Sequence, residues 1–227
     1  MRWCIAAGEE PLFGADRGCE LFEQRLLRLE GHARFSSDAD DDVLYVLAGR
    51  GRLTVGEDQV ALERGAAAFV SCSTRWEVHD ADGLELLSVR VHDPLPGARH
   101  SFVAAGSADA ETATAGRSFL LLCSPERGCN SVTQFVGLIP PGRAPDHFHR
   151  YDEVIYVLDG EGVLEIGGER EPIGPGSCIH LPRGLVHCLA NPGETELRVL
   201  GVFRPAGSPA EAYYPDGTRA AVPGSEE

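Results

Sequence analysis

The stretch PDHFHRYDEVIYVLDG, residues 145–160, carries two histidines one residue apart, then a glutamate, then an apolar run that ends at a glycine. In a β-strand residues i and i+2 point to the same face, so His147 and His149 are predicted to aim both imidazoles into one cavity. Glu153 begins the next predicted strand. Imidazole and carboxylate are donors that divalent transition metals take in proteins. The stretch therefore indicates either part of a metal site that needs a further donor or three polar residues at the mouth of a strand.

The chain contains two similar copies of one sequence pattern. The segment DVLYVLAGRGRLTVG from Asp42 aligns without gaps on EVIYVLDGEGVLEIG from Glu153, a shift of 153 − 42 = 111 residues. Matching glycines under this shift indicate backbone positions that need a positive φ or a close approach. Two copies of one turn-rich unit are therefore predicted. The glycine pairs are Gly31 with Gly142, Gly49 with Gly160, Gly51 with Gly162 and Gly65 with Gly176.

Each copy has the pattern of short strands. Runs of β-branched and aromatic residues are separated by Gly- or Pro-containing turns, as in the predicted hairpin EVIYVLDGEGVLEIG, and there is no convincing amphipathic helix. The pattern predicts an all-β protein with an antiparallel sandwich or barrel in each copy. We place one domain at residues 1–104 and the other at 105–227. They are joined within the segment 104–118, which has the composition of a linker and part of which can pair as a strand.

A further histidine motif lies in GSCIHLPRGLVHCLAN, residues 176–191. Together with the stretch 145–160, this motif resembles the pair of conserved motifs of the cupin superfamily. The first cupin motif places an H-x-H pair and a glutamate between two glycines, and the second places a P-x-G turn between a glycine and a closing histidine and asparagine. The first motif is met by Gly142, His147, His149, Glu153 and Gly160, and the second by Gly176, Pro182, Gly184, His187 and Asn191.

The resemblance implies a double-stranded β-helix, or jelly roll, that binds one divalent transition metal ion through three histidines and one glutamate. It does not specify whether the ion is Fe, Mn, Ni, Cu or Zn. The whole chain resembles a bicupin, two tandem cupin barrels, in which only the C-terminal cupin has complete motifs. The implied ligands are His147, His149, Glu153 and His187.

The first copy lacks these metal donors. Subtracting 111 from the four ligand positions gives Ser36, Asp38, Asp42 and Trp76. No imidazole remains, and an indole is a hydrogen-bond donor only, so Trp76 cannot ligate a metal. The N-terminal copy is therefore predicted to be a degenerate, metal-free cupin that packs, caps or dimerises. One ion per chain is expected, with Trp76 filling the volume of the lost ion.

Four further residues are candidates for substrate binding. Tyr151 lies between two ligands at the predicted rim, and Gln134 lies in the strand before the first motif. His180 is a candidate proton shuttle, and Arg143 is a candidate clamp for a substrate carboxylate. The structural alternatives are an exposed loop position for Tyr151, a packed core side chain for His180 and a surface ion pair for Arg143.

Composition and charge exclude several classes of function. The formal net charge is −15 and all 20 basic residues are arginine. Negative charge repels phosphate backbones and anionic lipid, so neither nucleic acid nor membrane is an expected partner. The lack of lysine excludes a Schiff-base lysine and a P-loop. Seven cysteines without a C-x-x-C pair do not indicate a disulfide framework. No signal peptide or spanning segment is found in the sequence, so a cytoplasmic protein is expected.

Open coordination positions at such a metal lead to three functional hypotheses. The first is a dioxygenase-type oxidoreductase that acts on a small oxygenated organic substrate, with Glu153 as a ligand and as a catalytic base when displaced. The second is a redox-neutral lyase, isomerase or hydrolase. The third is a non-enzymatic protein that binds a small molecule. A homodimer is expected because edge strands invite pairing between chains.

Overall fold

The computed structural model describes residues 4–6 and 12–221, and it confirms the all-β fold class. Three 3₁₀ helices of three residues each, Ala15–Arg17, Thr114–Gly116 and Pro125–Arg127, lie among these residues. No helix in this part of the chain has the length or apolar character to span a membrane. The strands are β1 Cys4–Ala6, β2 Phe22–Ser36, β3 Asp41–Val55, β4 Asp58–Glu63, β5 Ala67–Val70, β6 Arg75–Val91, β7 Ser101–Val103, β8 Ala110–Thr112, β9 Ser118–Cys123, β10 Thr133–Ile139, β11 Asp152–Asp159, β12 Gly162–Ile166, β13 Glu169–Ile173, β14 Ser177–Leu181, β15 His187–Ala190 and β16 Leu197–Arg204.

The chain forms two compact units, and neither is one continuous stretch. The N-terminal unit comprises residues 12–108 of the described part of the chain together with Leu122–Val132. The C-terminal unit comprises β1, Asp109–Leu121 and the residues from Thr133 onward. Strand β1 belongs to the C-terminal unit because it pairs with β14. A single division between residues 104 and 105 separates most of the two units but does not describe these shorter segments.

The N-terminal unit contains one antiparallel sheet. Its strand order is β2-β6-β3-β5-β7, and β4 pairs with β3. Strands β2, β3 and β6 are the long ones, and β6 pairs with both of the others along most of its length. Buried side chains of this sheet, among them Leu44, Leu53, Trp76 and Leu86, form one apolar core.

The C-terminal unit contains two sheets. A seven-stranded sheet has the order β1-β14-β11-β16-β10-β9-β8, and a three-stranded sheet has the order β13-β12-β15. Val157 and Val199 of the large sheet belong to the same buried cluster as Leu164 and Leu189 of the small one. The sheets therefore pack against each other across a shared apolar core. Strand β11 in one sheet carries Glu153 and β15 in the other carries His187, whereas His147 and His149 lie in the segment before β11.

The segment EVIYVLDGEGVLEIG does not form the predicted hairpin. Strand β11 pairs with β14 and β16, whereas β12 pairs with β13 and β15, so the chain passes from one sheet to the other between them. The turn falls at Gly160, whose φ is +80° and where a Cβ would lie 2.6 Å from the carbonyl oxygen of Glu196. Its counterpart Gly49 has a φ of +73°, and a Cβ there would lie 2.0 Å from the carbonyl oxygen of Gly83. These repeated glycines mark a turn that passes close to another strand.

We expect Gly160→Ala to be more destabilising than Gly167→Ala. Both glycines have positive φ, but a Cβ at Gly167 meets nothing within 4 Å. The left-handed backbone costs an alanine about 1–2 kcal/mol at either position. At Gly160 the displaced backbone adds an overpacking penalty, for a total of about 2–3 kcal/mol. Urea denaturation of the two variants measures the difference, and equal losses in the free energy of unfolding would contradict the close approach.

A disulfide bond joins Cys123 and Cys129 and encloses the short helix Pro125–Arg127. The odd number of cysteines did not predict it. The two cysteines are six residues apart in the sequence. Gly128 ends the helix in the left-handed conformation and so turns the chain back just before Cys129.

Candidate metal centre

Backbone pairing brings the two histidine motifs together. His147 and His187 form an antiparallel bridge in which each backbone N–H donates to the carbonyl of the other, at 3.1 and 2.8 Å. Residues opposite each other in such a bridge project to the same side. The two ring centroids accordingly lie 4.7 Å apart. His149 follows His147 on the same face, with its ring centroid 5.0 Å from that of His147 and 5.2 Å from that of His187.

The donor atoms of these three histidines converge. Each ring offers one nitrogen, and the three nitrogens lie within 4.8 Å of one another. His147 and His187 are buried, and His149 is half-buried. The structure therefore places the three predicted histidine ligands around one point, although they come from two separate parts of the chain.

Hydrogen bonds fix which nitrogen of each ring is available. In all three histidines Nδ1 lies 2.7 to 2.9 Å from a backbone carbonyl oxygen. A carbonyl only accepts, so each Nδ1 carries the hydrogen and each Nε2 keeps its lone pair. This is the tautomer that a metal-binding imidazole uses when its other nitrogen is held by an outer partner. The acceptors are Pro145 for His147, Glu211 for His149 and Leu185 for His187.

Burial keeps these imidazoles neutral. Desolvation is the largest cause that lowers the pKa of His147, and it lowers the pKa of His149 to about 3. The pKa of His187 lies well below its usual value, because of desolvation first and the neighbouring His147 and His149 next. Neutral imidazole is the form that ligates metals, so the site needs no deprotonation of these rings near neutral pH.

Glu153 lines the same cavity but stands apart from the three nitrogens. Its carboxylate oxygens are not within the group of donor atoms that lie within 4.8 Å of one another. Burial raises the pKa of Glu153 to about 8, so the carboxyl carries a proton near neutral pH. Its Oε1 lies 2.7 Å from the point where a Cβ of residue 201 would be. The ring of Phe135 lies closer still, at 2.4 Å, so a side chain at position 201 would displace Phe135 and Glu153.

The cavity is small and combines apolar and polar walls. Its volume is about 70 Å³. Since one water needs roughly 10–15 Å³ of such space, the cavity has room for a ligand of a few non-hydrogen atoms. Phe135, Ile155 and Leu189 supply apolar wall, and the three histidines, Glu153 and Arg117 supply the polar groups.

The residues predicted to bind substrate divide into two groups. Tyr151 lines the cavity, and its ring stacks on His149 at 4.6 Å between centroids. Gln134 and His180 are buried but do not line this cavity. Arg143 also lies outside it, where its guanidinium donates to Glu165 and Asp146, each at 2.6 Å. The surface ion pair, the alternative for Arg143, is the arrangement that the structure shows.

Two contributions to the site were not predicted. Arg117 lies in the segment interpreted as a linker, yet its guanidinium lines the cavity and donates to the carbonyl of Leu189 at 2.5 Å. Glu211 contributes a backbone carbonyl to His149, a contact that carries no side-chain signal. The sequence shows Arg117 only as a basic residue directly before an apolar strand. That pattern is common on protein surfaces and does not distinguish a cavity residue.

The corresponding positions of the N-terminal unit hold a different arrangement. The indole Nε1 of Trp76 donates to Asp42 Oδ2 at 3.0 Å, and Arg90 donates to Asp42 Oδ1 at 3.2 Å. Trp76 is 1% exposed and stacks on Phe35 with ring centroids 4.0 Å apart. A hydrogen-bonded indole and carboxylate therefore occupy two of the four positions that correspond to the predicted ligands. The indole is packed in the apolar core of this unit, and its filling of the volume of a lost ion stays a prediction.

Comparisons with known proteins match this architecture. The family model described as cupin domain matches residues 135–203, which include the three histidines and Glu153. A Thermotoga maritima protein described as an oxalate-binding protein is 34% identical over 85 residues, which are 36% of this chain and 70% of that protein. The matches to uncharacterised proteins of Aquifex aeolicus and Streptomyces coelicolor span 62% and 56% of those proteins, less than two thirds of their lengths.

Solved structures resemble the chain over a longer range. An IolB-like protein from Salmonella typhimurium has a TM-score of 0.75 at 13% identity, over 95% of this chain and 97% of that one. Oxalate decarboxylase from Bacillus subtilis, described with Mn(II) centres, has a TM-score of 0.63 at 12% identity, over 83% of this chain and 70% of that one. At these identities the similarity establishes the fold alone.

Proposed function

Because the chain belongs to the cupin superfamily, we propose that its C-terminal unit holds one divalent transition metal ion and binds a small carboxylate beside it. The proposed ligands are His147, His149, His187 and Glu153. Three Nε2 lone pairs aimed at one point and a nearby carboxyl group fit such an ion. When bound, the metal supplies Lewis acidity and, if it is iron, manganese, nickel or copper, access to dioxygen chemistry.

The observation that carries the ligand class is the guanidinium of Arg117. It lines the cavity with the histidines, and no carboxylate of the described residues lies within 4.0 Å of it. Burial is the largest cause that shifts the pKa of Arg117 and it lowers that pKa, while the nearby Cys188 acts in the opposite direction. A half-buried guanidinium that donates to a backbone carbonyl but has no carboxylate partner in the described part of the chain favours an anionic ligand, and guanidinium matches carboxylate geometry. The volume of about 70 Å³ restricts that ligand to a small one.

The chain's own residues then have separate tasks. The backbone carbonyls of Pro145, Leu185 and Glu211 orient the imidazoles. Glu153 holds a proton near neutral pH because burial raises its pKa to about 8, and it would have to lose that proton in order to hold an ion. In its carboxylate form Glu153 could accept a proton from a substrate bound in the cavity. Apolar wall residues limit the access of water.

For the reaction type, we propose a dioxygenase-type oxidation of a small oxygenated acid. Oxygen consumption that depends on both added metal and added acid would support it, and it is measured with an oxygen electrode. Turnover without oxygen consumption would leave only the redox-neutral reaction.

A redox-neutral lyase, or a protein that binds its ligand unchanged, is the second candidate. It is favoured by the relative described as an oxalate-binding protein and by the fold shared with oxalate decarboxylase. Oxalate is therefore the first acid to test. Release of carbon dioxide without oxygen consumption identifies the lyase, and recovery of intact oxalate after tight binding identifies the binding protein.

We further propose that both units are cupin barrels and that the N-terminal one is degenerate. The shift of 111 residues and the similarity of the IolB-like structure over 95% of the chain support this arrangement. The boundary near residues 104–105, a cytoplasmic location and a homodimer complete the proposal. Light scattering of the purified protein measures the oligomeric state.

Replacing Arg117 with glutamine is expected to weaken oxalate binding by about 10- to 100-fold, since a hydrogen bond to a charged group contributes about 1.5–3 kcal/mol. Metal content is expected to stay unchanged, because Arg117 is not a metal donor. Calorimetric titration with oxalate measures the affinity of the metal-loaded wild type and of two metal-loaded variants. The control is Arg143→Gln, which removes an arginine of the same unit that is paired with Glu165 outside the cavity. Equal weakening by the two substitutions would contradict the role of Arg117.

A further inference from the structure

A second cluster of metal-binding side chains lies on the sheet of the N-terminal unit. Strand β2 contributes His32, and the neighbouring strand β6 contributes Glu77 and His79. One donor atom of each lies within 4.8 Å of the other two. The cluster is partly open to solvent, since 45%, 32% and 30% of these side chains are exposed. It is separate from the four positions where the N-terminal copy lost its cupin ligands.

The distances within the cluster match a coordination shell. Both Nε2 atoms face the same carboxylate oxygen, Glu77 Oε2, which lies 3.0 Å from His32 and 3.6 Å from His79. Donors bound to one tetrahedral Zn²⁺ at about 2.0–2.1 Å are separated by about 3.4 Å. The two imidazoles stack with centroids 4.7 Å apart and planes inclined by 12°.

The sheet fixes this arrangement. Glu77 and His79 are two residues apart on β6 and therefore share a face. The partner of Glu77 on β2 is Arg34, two residues from His32. Arg34 Nε lies 3.1 Å from Glu77 Oε1, which leaves Oε2 directed at the imidazoles. Side chains held on paired strands lose little further freedom when an ion binds.

Another group in the described residues also has metal-binding atoms, but its carboxylate of residue 165 has no oxygen left free for an ion. This group is Asp146, Glu165 and Cys188. Both oxygens of Glu165 are held by arginines, Oε2 by Arg143 and Oε1 by Arg170. A cation there would have to displace two guanidinium groups.

We propose that His32, Glu77 and His79 form a second binding site for a borderline divalent metal ion such as Zn²⁺. The set has two imidazoles and one carboxylate, with further positions open to water. An ion bound there links β2, the edge strand of the sheet, to β6. It stabilises the N-terminal unit by mass action. Because the site faces solvent, its affinity is expected to be lower than that of the buried centre.

The test is calorimetric titration of the full chain with Zn²⁺ after chelation and dialysis. The wild-type protein is expected to bind two ions, one at each site. His79→Ala and His32→Ala should each remove the weaker event, with a loss of affinity of at least about 100-fold, while keeping the stronger one. His149→Ala should do the reverse. The control His100→Ala removes an exposed imidazole paired with Asp58 at 3.0 Å and should keep both events.

The outcomes separate this proposal from that for the C-terminal unit. A weaker event that survives both His79→Ala and His32→Ala, or its absence from the wild-type protein, would overturn the second site. In that case Glu77 serves only as the hydrogen-bond partner of His32, with the imidazole of His79 stacked beside that of His32. If the wild-type protein shows the weaker binding event but not the stronger one, the result counts against the buried centre and supports the second site. Cobalt(II) absorption in the His149→Ala variant reports the coordination directly, and no visible band in that variant would count against the second site.

Discussion

The His149→Ala variant is expected to retain less than about a hundredth of the metal affinity of the unsubstituted protein. Loss of a residue that only supports a ligand costs 10- to 100-fold in affinity, so loss of a ligand should exceed about 100-fold. His149 is one of three imidazoles whose donor nitrogens lie within 4.8 Å of one another. Elemental analysis after dialysis extensive enough to empty the weaker site of the N-terminal unit should give near one ion per chain for the wild type and close to none for the variant.

The matched control is His180→Gln. His180 is a buried histidine of the same unit that does not line the cavity. Its replacement should leave the metal content near one ion per chain, and circular dichroism checks that both variants are folded. Equal metal content in His149→Ala and in the wild type would remove the basis for the proposed centre.

A second large effect is expected in the N-terminal unit, where Trp76→Ala should lower the free energy of unfolding by about 3–5 kcal/mol. The indole is 1% exposed, stacks on Phe35 and donates to Asp42. Its removal leaves a large cavity and an unpaired carboxylate oxygen. The ion content of the C-terminal unit is expected to remain unchanged, because Trp76 belongs to the N-terminal unit and does not line the cavity of the histidines.

Two further variants separate the contributions of the indole. Trp76→Phe keeps an aromatic ring but leaves Asp42 Oδ2 without its donor, for an expected loss of about 1–3 kcal/mol. Leu95→Ala, at a side chain that is 52% exposed, should change stability by no more than about 0.5 kcal/mol. Guanidinium denaturation measures all three. A Trp76→Ala variant as stable as Leu95→Ala would show that the indole does not fill the core.

Much of the candidate site could be predicted because the spacing of its residues in the sequence determines which side chains share a face. His147 and His149 share a face by the two-residue period of a strand. His187 could be assigned from its motif, but only the structure shows that it bridges to His147 through the backbone. Glu153 was predicted as a fourth ligand, and the structure places it in the same cavity with its oxygens outside the group of three nitrogens.

Residues brought in by the topology could not be found in the same way. Arg117 reaches the cavity because β9, the strand that follows it, joins the large sheet beside β10. For Gln134 and Phe135 the period of two predicts that one of them faces inward, but not which one. The structure selects Phe135. The prediction of a hairpin at residues 153–167 was wrong for a related reason, because the local sequence pattern does not determine which sheet a strand joins.

The central claim is that three imidazoles and a carboxylate of the C-terminal unit surround one ion. Anomalous diffraction from crystals of the metal-loaded protein tests it most directly. We expect an anomalous peak about 2.0–2.2 Å from Nε2 of His147, His149 and His187, with a Glu153 oxygen turned toward it. Saturation with iron, manganese, nickel and zinc in turn, without any peak among these three rings, would contradict the proposed metal centre.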